Sequence, residues 1–340
     1  TNEPLAEVTP PALPSEEVQS EAPRTDLTLF GEKIEALKSQ IASVIVGQEH
    51  TVDLILTAIL ANGHVLIEGV PGVAKTLLAR LTARLIDADF SRIQFTPDLM
   101  PSDVLGTTVF NMKTNGFDFH QGPIFADIVL VDEINRAPAK TQAALFEVME
   151  ERQVSIDGTT HRMGELYTIL ATQNPVEQEG TYKLPEAQLD RFLMKLTMDY
   201  PSLDEEVNIL ERHHTNAAFV KLEDITPAIT KEELLSLRNL MKQVFIDRTL
   251  LQYIALIVQQ TRTSKAVYLG ASPRASVAML QTSKAYALLQ GRDFVTPEDI
   301  KFVAPYVLQH RLILTAEAEM EGYSPVKVTQ RLIDKVEVPK

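Results

Sequence analysis

The sequence predicts an α/β fold, with a parallel β-sheet between helices and two inserted β-hairpins, followed by an all-helical domain. Runs of continuously apolar residues are typical of parallel strands that helices cover on both faces. Four such runs occur, at residues 64–67, 128–131, 168–171 and 193–198. After Pro201 these runs stop and helix-start patterns replace them. We therefore expect an α/β domain at residues 28–200 and a helical domain at residues 201–340.

Two hairpins are predicted inside the α/β domain. Asn-Gly and Asp-Gly pairs favour the tight turns that join two antiparallel strands. Asn115-Gly116 lies within residues 107–119, and Asp157-Gly158 lies within residues 153–163. Both stretches are therefore interpreted as hairpins inserted between the elements of the parallel sheet.

Helices are predicted on both sides of the strand region. Apolar residues at helical spacing begin at Leu29, and a second helix is expected from about residue 49 to residue 61. In the second domain a Ser or Thr followed three residues later by an acidic residue marks helix starts. This pattern occurs at Ser202, Thr230 and Thr296. We interpret Tyr268-Leu269-Gly270 as a helix end, and His213-His214 as a solvated helix face, not a metal site.

Composition narrows the classes of protein to consider. The 340 residues carry 46 acidic and 32 basic side chains, and the net charge of −14 argues against broad attraction to nucleic acid. Residues 1–27 are acidic and contain five prolines, so a disordered tail is expected there. The chain has no cysteine, which excludes disulfides and suits a cytoplasmic protein. No apolar run approaches the roughly 20 residues of a membrane helix, so membrane insertion is not expected.

A glycine-containing loop follows the first apolar run. It consists of Gly69, Val70, Pro71, Gly72, Val73, Ala74, Lys75 and Thr76, and Leu77 continues into a predicted helix. A strand, a glycine-containing loop and a helix N-terminus together suit a phosphate group, because backbone N–H groups and the helix dipole both face the anion. Lys75 would then reach the β and γ phosphates of a nucleotide, and the Thr76 hydroxyl would bind Mg²⁺. An ordinary turn before a helix is the alternative.

Ala74 departs from the general motif, which has glycine at that position. A methyl group is tolerated there if the residue keeps a negative φ and if the phosphate does not press on Cβ. If the loop binds phosphate, we therefore expect a negative φ at Ala74.

Two adjacent carboxylates end the second apolar run. Asp132 and Glu133 follow residues 128–131. At a strand end, Asp132 can hold Mg²⁺ through water, while Glu133 can orient and deprotonate the water that attacks a γ-phosphate. The alternative is that both carboxylates only solvate a strand end or begin a helix, but the loop and the carboxylate pair together are hard to obtain by chance.

Three further polar residues are candidates for work on phosphate. Asn174 follows the third apolar run and could hold the attacking water, although an Asn before a proline is more often a turn residue. Arg191 and Arg274 each carry a fixed charge and a bidentate fork that suits phosphate. On sequence alone, a surface ion pair is the more common fate of such an arginine.

Together these segments resemble the AAA+ ATPases, and most closely the MoxR group of that superfamily. The segments are residues 68–76, 131–137, 171–175 and 184–192, and the resemblance extends over about residues 30–335. It implies a P-loop AAA+ core followed by a helical lid, with ATP or ADP and Mg²⁺ as ligands. It also implies adenine contacts from Val46 and Gly47, a first sensor at Asn174, an arginine finger at Arg191, and a second sensor at Arg274.

The same resemblance implies partners. A finger that acts on a neighbouring subunit implies a homo-oligomeric ring, usually a hexamer, that remodels or activates a client protein. Family members often work beside proteins with a von Willebrand A domain. The two hairpins would face a central pore, where Phe110, Phe117 and Phe119 would grip a client; simple cross-strand packing is the alternative for these aromatic residues.

Two other functions remain open at this point. Related ATPases with the same kind of helix-2 insertion act on DNA, so a DNA or RNA motor is one alternative, although the acidic charge argues against it. The other is a regulatory scaffold that binds ATP with little turnover, against which the Asp132-Glu133 pair argues.

Overall fold

The computed structural model describes residues 27–174, 182, 184–214 and 222–339. The predicted acidic tail, apart from Leu27, lies outside the described residues. Among the helices of the described ranges, none is long and apolar enough to cross a membrane.

The first part of the chain is built around strands. Its elements are α1 (Thr28–Val44), α2 (Glu49–Leu60), β1 (Val65–Gly69), α3 (Lys75–Leu85), β2 (Phe90–Gln94), α4 (Pro101–Leu105), β3 (Gly106–Asn111), β4 (Gly116–Gln121), β5 (Ile128–Asp132), α5 (Ala139–Glu151), β6 (Gln153–Ile156), β7 (Thr159–Arg162), β8 (Thr168–Gln173), α6 (Glu186–Leu189) and β9 (Met194–Met198). A 3₁₀ turn at Ile134–Arg136 follows β5.

The second part is mainly helical, as predicted. Its elements are α7 (Leu203–His214), α8 (Lys231–Gln243), α9 (Arg248–Thr263), β10 (Val267–Leu269), α10 (Pro273–Leu289), α11 (Pro297–Leu308), β11 (Ile313–Leu314), α12 (Ala316–Met320) and α13 (Pro325–Lys335), with a 3₁₀ turn at Leu222–Asp224. We call the elements from α8 onward the lid. The interpretation of residues 268–270 as a helix end is wrong, because β10 pairs there with β11.

Five parallel strands form the central sheet in the order β2-β5-β8-β1-β9. The predicted runs correspond to β1, β5, β8 and β9, and all five residues of β5 are buried. Alternate residues of β5 pack into two different hydrophobic clusters, Ile128 and Leu130 into one and Val129 and Val131 into the other. Both faces of the sheet are therefore covered, which is why these strands read as continuous apolar runs. We call the ends where the strands stop the carboxyl edge, and the ends where they start the amino edge.

Both predicted hairpins are present outside this sheet. β3 pairs with β4, and β6 pairs with β7. Asn115 and Asp157 adopt φ of 49° in their turns, a left-handed conformation that Asn and Asp tolerate better than most residues.

The lid packs mainly against α2 and the edge strand β9 of the α/β part. Leu237 of α8, Met279 of α10 and Val303 of α11 belong to the same buried cluster as Ile59 of α2 and Leu130 of β5. Several polar contacts add to this packing: Lys231 Nζ lies 2.6 and 2.8 Å from the two carboxylate oxygens of Asp127, and the buried Arg238 donates to the carbonyls of Ile59 and Glu165. The lid and the α/β part therefore share one continuous core.

His64, immediately before β1, is a buried connection between elements. Its Nδ1 accepts from the Ile169 N–H at 3.0 Å, and its Nε2 lies 3.1 Å from the Met149 carbonyl. Desolvation by burial, and then the nearby charge of Arg152, lower the pKa of His64 from 6.5 to about 3. The ring is therefore neutral in the folded protein at neutral pH.

This depressed pKa predicts acid sensitivity. The unfolded chain binds a proton at His64 below about pH 6.5, whereas the folded chain does so only near pH 3. The contribution of His64 to the free energy of unfolding is therefore fully present above pH 6.5 and decreases as the pH falls below it. Between pH 6.5 and 4.5 we expect protonation of His64 in the unfolded chain to lower the free energy of unfolding by about 2–3 kcal/mol. Urea denaturation of the wild type and of His64→Gln at several pH values measures it. The variant should lose less stability across that window than the wild type, and equal losses would contradict the prediction.

Candidate functional site

The predicted phosphate-binding loop joins β1 to α3 at the carboxyl edge. Gly72 and Ala74 have left-handed backbone conformations, with φ of 90° and 60°. Left-handed residues between ordinary ones turn successive N–H groups toward one side, which makes a concave site for an anion. α3 begins at Lys75, and the positive end of its dipole also favours a phosphate. The loop therefore fits the phosphates of a nucleotide.

The conformation of Ala74 corrects the expectation from sequence. A negative φ was expected, but φ is 60° and ψ is 21°. In this conformation an L residue brings its Cβ close to the following carbonyl oxygen, at a cost of roughly 1–2 kcal/mol. The loop therefore holds strain that a glycine would not have.

Replacing Ala74 by glycine should stabilise the protein. Relief of the strain outweighs the larger unfolded-state entropy of glycine, which costs about 0.4–1 kcal/mol, so we expect a net gain of about 0.5–1 kcal/mol. Urea denaturation measures this gain. Ala83→Gly, a change in the interior of α3, is the matched control and should lose about 1 kcal/mol or more. A loss of stability in Ala74→Gly would contradict the strain.

Lys75 turns back onto its own loop. Its Nζ donates to the Gly69 carbonyl at 2.6 Å, and the side chain is partly buried. Burial lowers the pKa of this ammonium, while the charges of Asp132 and Glu133 raise it. Lys75 and the two carboxylates therefore share one electrostatic environment.

Asp132 lies at the end of β5 and is buried. Its Oδ1 accepts from the Thr172 hydroxyl at 3.0 Å, and its Oδ2 accepts from Arg92 Nε at 2.6 Å. Mg²⁺ in nucleotide sites is usually held by one or two protein oxygens together with phosphate oxygens. The carboxylate of Asp132 and the hydroxyl of Thr76 supply the right kind of oxygen, so the residues present fit this ion.

Glu133 follows Asp132 in a left-handed conformation, with φ of 56°. Its Oε2 accepts from Gln94 Nε2 at 2.8 Å and from Arg136 at 2.9 Å, and its backbone N–H donates to the Thr172 hydroxyl. Neighbouring side chains therefore fix the carboxylate from two directions at the carboxyl edge.

Arg92 and Gln94 belong to β2, a strand that the sequence analysis did not predict. β2 is an edge strand, and polar residues interrupt its apolar ones, so it lacks the continuous apolar run of the interior strands. The one available signal was the alternation of Ile93 and Phe95 with polar neighbours. Missing this strand meant missing two side chains that contact the carboxylates.

Asn174 follows directly after β8, the strand that lies between β1 and β5. In the register of the sheet, Gln173 pairs with Glu68, the residue before Gly69. Asn174 therefore follows the strand that lies between the phosphate-binding loop and the two carboxylates, and its role as a sensor stays a prediction.

A cavity of about 420 Å³ opens beside the loop, within the size range of small-molecule sites. The residues that line it include Val46, Gln48, Val73, Leu77, Ile209 and His213. Gly47 instead borders a neighbouring cavity of about 380 Å³ beside Glu205. His213 is exposed on α7, which agrees with the interpretation of a solvated helix face, and it also borders this cavity.

Arg191 and Arg274 lie at the amino edge. The carboxylate of Glu150 contacts both, at 2.9 Å from Arg191 Nη2 and 3.6 Å from Arg274 Nη2. Both arginines line a cavity of about 500 Å³ with Gly63 and His64, which precede β1. The phosphate-binding loop follows the other end of β1, a strand of five residues that spans about 16 Å. The structure therefore pairs the two arginines but separates them from the loop of their own chain.

Comparisons with known proteins agree with this geometry. Residues 64–194 match the family model for the ATPase family associated with various cellular activities (AAA), and residues 259–334 match the AAA lid domain. The uncharacterized protein YeaC of Bacillus subtilis is 48% identical over 92% of this chain and 95% of its own. The protein named Chaperone MoxR1 of Mycobacterium tuberculosis is 43% identical over 88% of this chain and 81% of its own. The chain belongs to the MoxR family of AAA ATPases. The crystal structure of a presumed ATPase from Cytophaga hutchinsonii, 40% identical, superposes with a TM-score of 0.85 and covers 93% of this chain and 97% of that one.

The MoxR-family assignment confirms the α/β AAA+ fold and the helical lid expected from sequence. The AAA match contains the loop, the Asp132-Glu133 pair, Asn174 and Arg191, and the lid match contains Arg274. Sequence reasoning missed the side chains that contact these candidates, namely Arg92, Gln94, Glu150 and Thr172.

Proposed function

We propose that this MoxR-family chain is an ATP-hydrolysing machine that remodels or activates client proteins as a ring oligomer. The observation that carries the proposal is the assembly of Lys75, Asp132, Glu133 and Asn174 at one edge of the sheet, beside a cavity of about 420 Å³. These groups supply a phosphate cradle, an ion ligand, a general base and a polar sensor within one site.

The nucleotide would occupy the carboxyl edge. The adenine would enter the cavity bordered by Val46 and Leu77, and the phosphates would lie in the loop at residues 69–76. Lys75 would then exchange its bond to the Gly69 carbonyl for phosphate oxygens. Thr76 and Asp132 would hold Mg²⁺, which neutralises phosphate charge when it is bound.

Glu133 would act as the general base. Its carboxylate lies at the end of a rigid, fully buried strand, and Gln94 and Arg136 hold it in place. A carboxylate so held can accept a proton from water as the water attacks the γ-phosphate, and Asn174 would orient that water.

The two arginines would serve a neighbouring subunit. Arg191 and Arg274 are about the length of β1 away from the loop of their own chain, yet they share Glu150 and so form a pair of positive charges. Phosphate oxygens from a neighbouring site would replace Glu150 as their partner. Such an exchange requires a homo-oligomer, for which we propose a ring, usually hexameric in this superfamily.

Client binding would involve the first hairpin. Phe110 and Phe117 are exposed, Phe117 by 73%, and their ring centroids lie 5.3 Å apart. Phe119 differs, because it stacks on His161 of the second hairpin at 4.2 Å. Phe110 and Phe117 would therefore contact a client, while Phe119 would connect the two hairpins. A von Willebrand A domain protein is our proposed partner.

Nucleotide binding and turnover test this function directly. The wild type should bind ATP in the presence of Mg²⁺ and release phosphate, with a specific activity that rises with protein concentration as subunits assemble. Lys75→Ala should lose at least about 10-fold in ATP affinity, because charged hydrogen bonds of this kind contribute about 1.5–3 kcal/mol. Isothermal titration and phosphate-release assays measure both. Lys113→Ala, in the exposed turn of the first hairpin, is the matched control. Equal ATP affinity in Lys75→Ala and the control would refute the assigned site.

A further inference from the structure

Three consecutive lid residues hold the segment that carries Arg191. They are Gln309, His310 and Arg311, which follow α11 and which we call the lid clamp. Gln309 Nε2 donates to the Lys195 carbonyl, and His310 Nε2 lies 3.0 Å from the Phe192 carbonyl. Both residues are buried. The clamp therefore contacts the backbone on the C-terminal side of Arg191.

Arg311 makes the most extensive of these contacts. Its Nε donates to Asp190 Oδ1 at 2.7 Å, and its Nη2 donates to the Phe192 carbonyl at 2.7 Å and the Asp190 carbonyl at 3.3 Å. Its Nη1 donates to the Leu193 carbonyl at 3.2 Å. The side chain is only 4% exposed. One planar guanidinium thus fixes the backbone on both sides of Arg191.

Asp190 extends this connection to the second arginine. Its Oδ1 accepts from Arg311, and its Oδ2 lies 4.0 Å from Arg274 Nη1. Glu150 then joins Arg274 to Arg191. A chain of polar contacts therefore connects Arg311 of the lid clamp to Asp190, Arg274, Glu150 and finally Arg191. It crosses the junction between the α/β part and the lid.

We propose that Arg311 is a positioning residue for Arg191: it fixes residues 190–193 to the lid, so that Arg191 and Arg274 reach the nucleotide of the neighbouring subunit as one unit. This inference rests on the proposed function, in which Arg191 acts in trans. The physical basis of the inference is the planar guanidinium of Arg311, whose N–H groups donate to one carboxylate and several carbonyls at the same time. The single ammonium of a lysine cannot reach all of these acceptors together. Displacement of a catalytic group by about 1 Å can cost roughly 100-fold in rate.

Arg311→Lys tests the inference through kinetics. We expect its ATP affinity to stay within about 2-fold of wild type, and its kcat to fall by at least about 10-fold, because the finger is misplaced rather than removed. The double variant Arg311→Lys/Arg191→Ala should be no slower than Arg191→Ala, since both changes damage the same function. Arg238→Lys is the matched control: this lid arginine is also buried and binds core carbonyls, but it does not contact residues 190–193.

Mixed assemblies separate this inference from the function on which it rests. Arg311→Lys should regain activity with Lys75→Ala, which supplies an intact finger, and should regain none with Arg191→Ala. If co-assembled Lys75→Ala and Arg191→Ala fail to restore each other, the trans finger itself is wrong. If Lys75→Ala and Arg191→Ala do restore each other, two results would show that the positioning role is wrong. One is a kcat of Arg311→Lys within 2-fold of wild type. The other is a recovery of Arg311→Lys activity on mixing with Arg191→Ala. If Arg311→Lys does not fold, Gln309→Ala replaces it in the kinetic and mixing experiments, with the same expected results.

Discussion

Glu133→Gln should bind ATP as the wild type does and hydrolyse it about 10²–10⁴-fold more slowly, the range expected for loss of a general base. The amide has the same shape as the carboxylate and can still accept hydrogen bonds from Gln94 and Arg136. It cannot accept a proton from the attacking water. Binding and hydrolysis should therefore separate in this one variant.

Phosphate release and nucleotide affinity, measured on the same preparation, check this result. Glu147→Gln is the matched control, because Glu147 is an exposed glutamate on α5. The control should keep both properties. Hydrolysis by Glu133→Gln at the wild-type rate would show that another group activates the water. A variant held in its ATP state is also suited to capturing a client protein.

Arg191→Ala should lose about 10³-fold in turnover, the lower end of what an arginine finger contributes. ATP affinity should change little, because Arg191 lies at the amino edge, apart from the loop of its own chain. Turnover rates and ATP titrations measure the two effects. Arg248→Ala, an exposed arginine at the start of α9, is the control and should keep both. A large loss of ATP affinity in Arg191→Ala would mean that the arginine serves its own subunit.

The sequence predicted the interior of the α/β part well, for a physical reason. Strands covered on both faces must be apolar at successive positions, so β1, β5, β8 and β9 stood out. Turn pairs such as Asn115-Gly116 located the hairpins because few residues tolerate the required conformation. Local chemistry also placed the loop and the Asp132-Glu133 pair, since each is a short segment with a distinct pattern.

Features that depend on contacts between distant segments could not be predicted in this way. The polar edge strand β2 and the short pairing of β10 with β11 carry little pattern of their own. The left-handed φ of Ala74 follows from the loop that surrounds it, not from the propensity of alanine. Arg191 and Arg274 are 83 positions apart in the chain, and only the fold brings both to Glu150.

The central claim is that each nucleotide site is shared between two subunits. A mixture of Lys75→Ala and Arg191→Ala subunits tests this claim most directly. Each variant alone should release phosphate much more slowly than the wild type, the first because it binds ATP weakly and the second because it lacks the finger. In co-assembled mixtures, some interfaces join an intact loop to an intact Arg191, so phosphate release should return and reach its maximum near equal proportions. Phosphate release that stays at the level of the separate variants, with co-assembly confirmed by labelled subunits, would contradict a shared site.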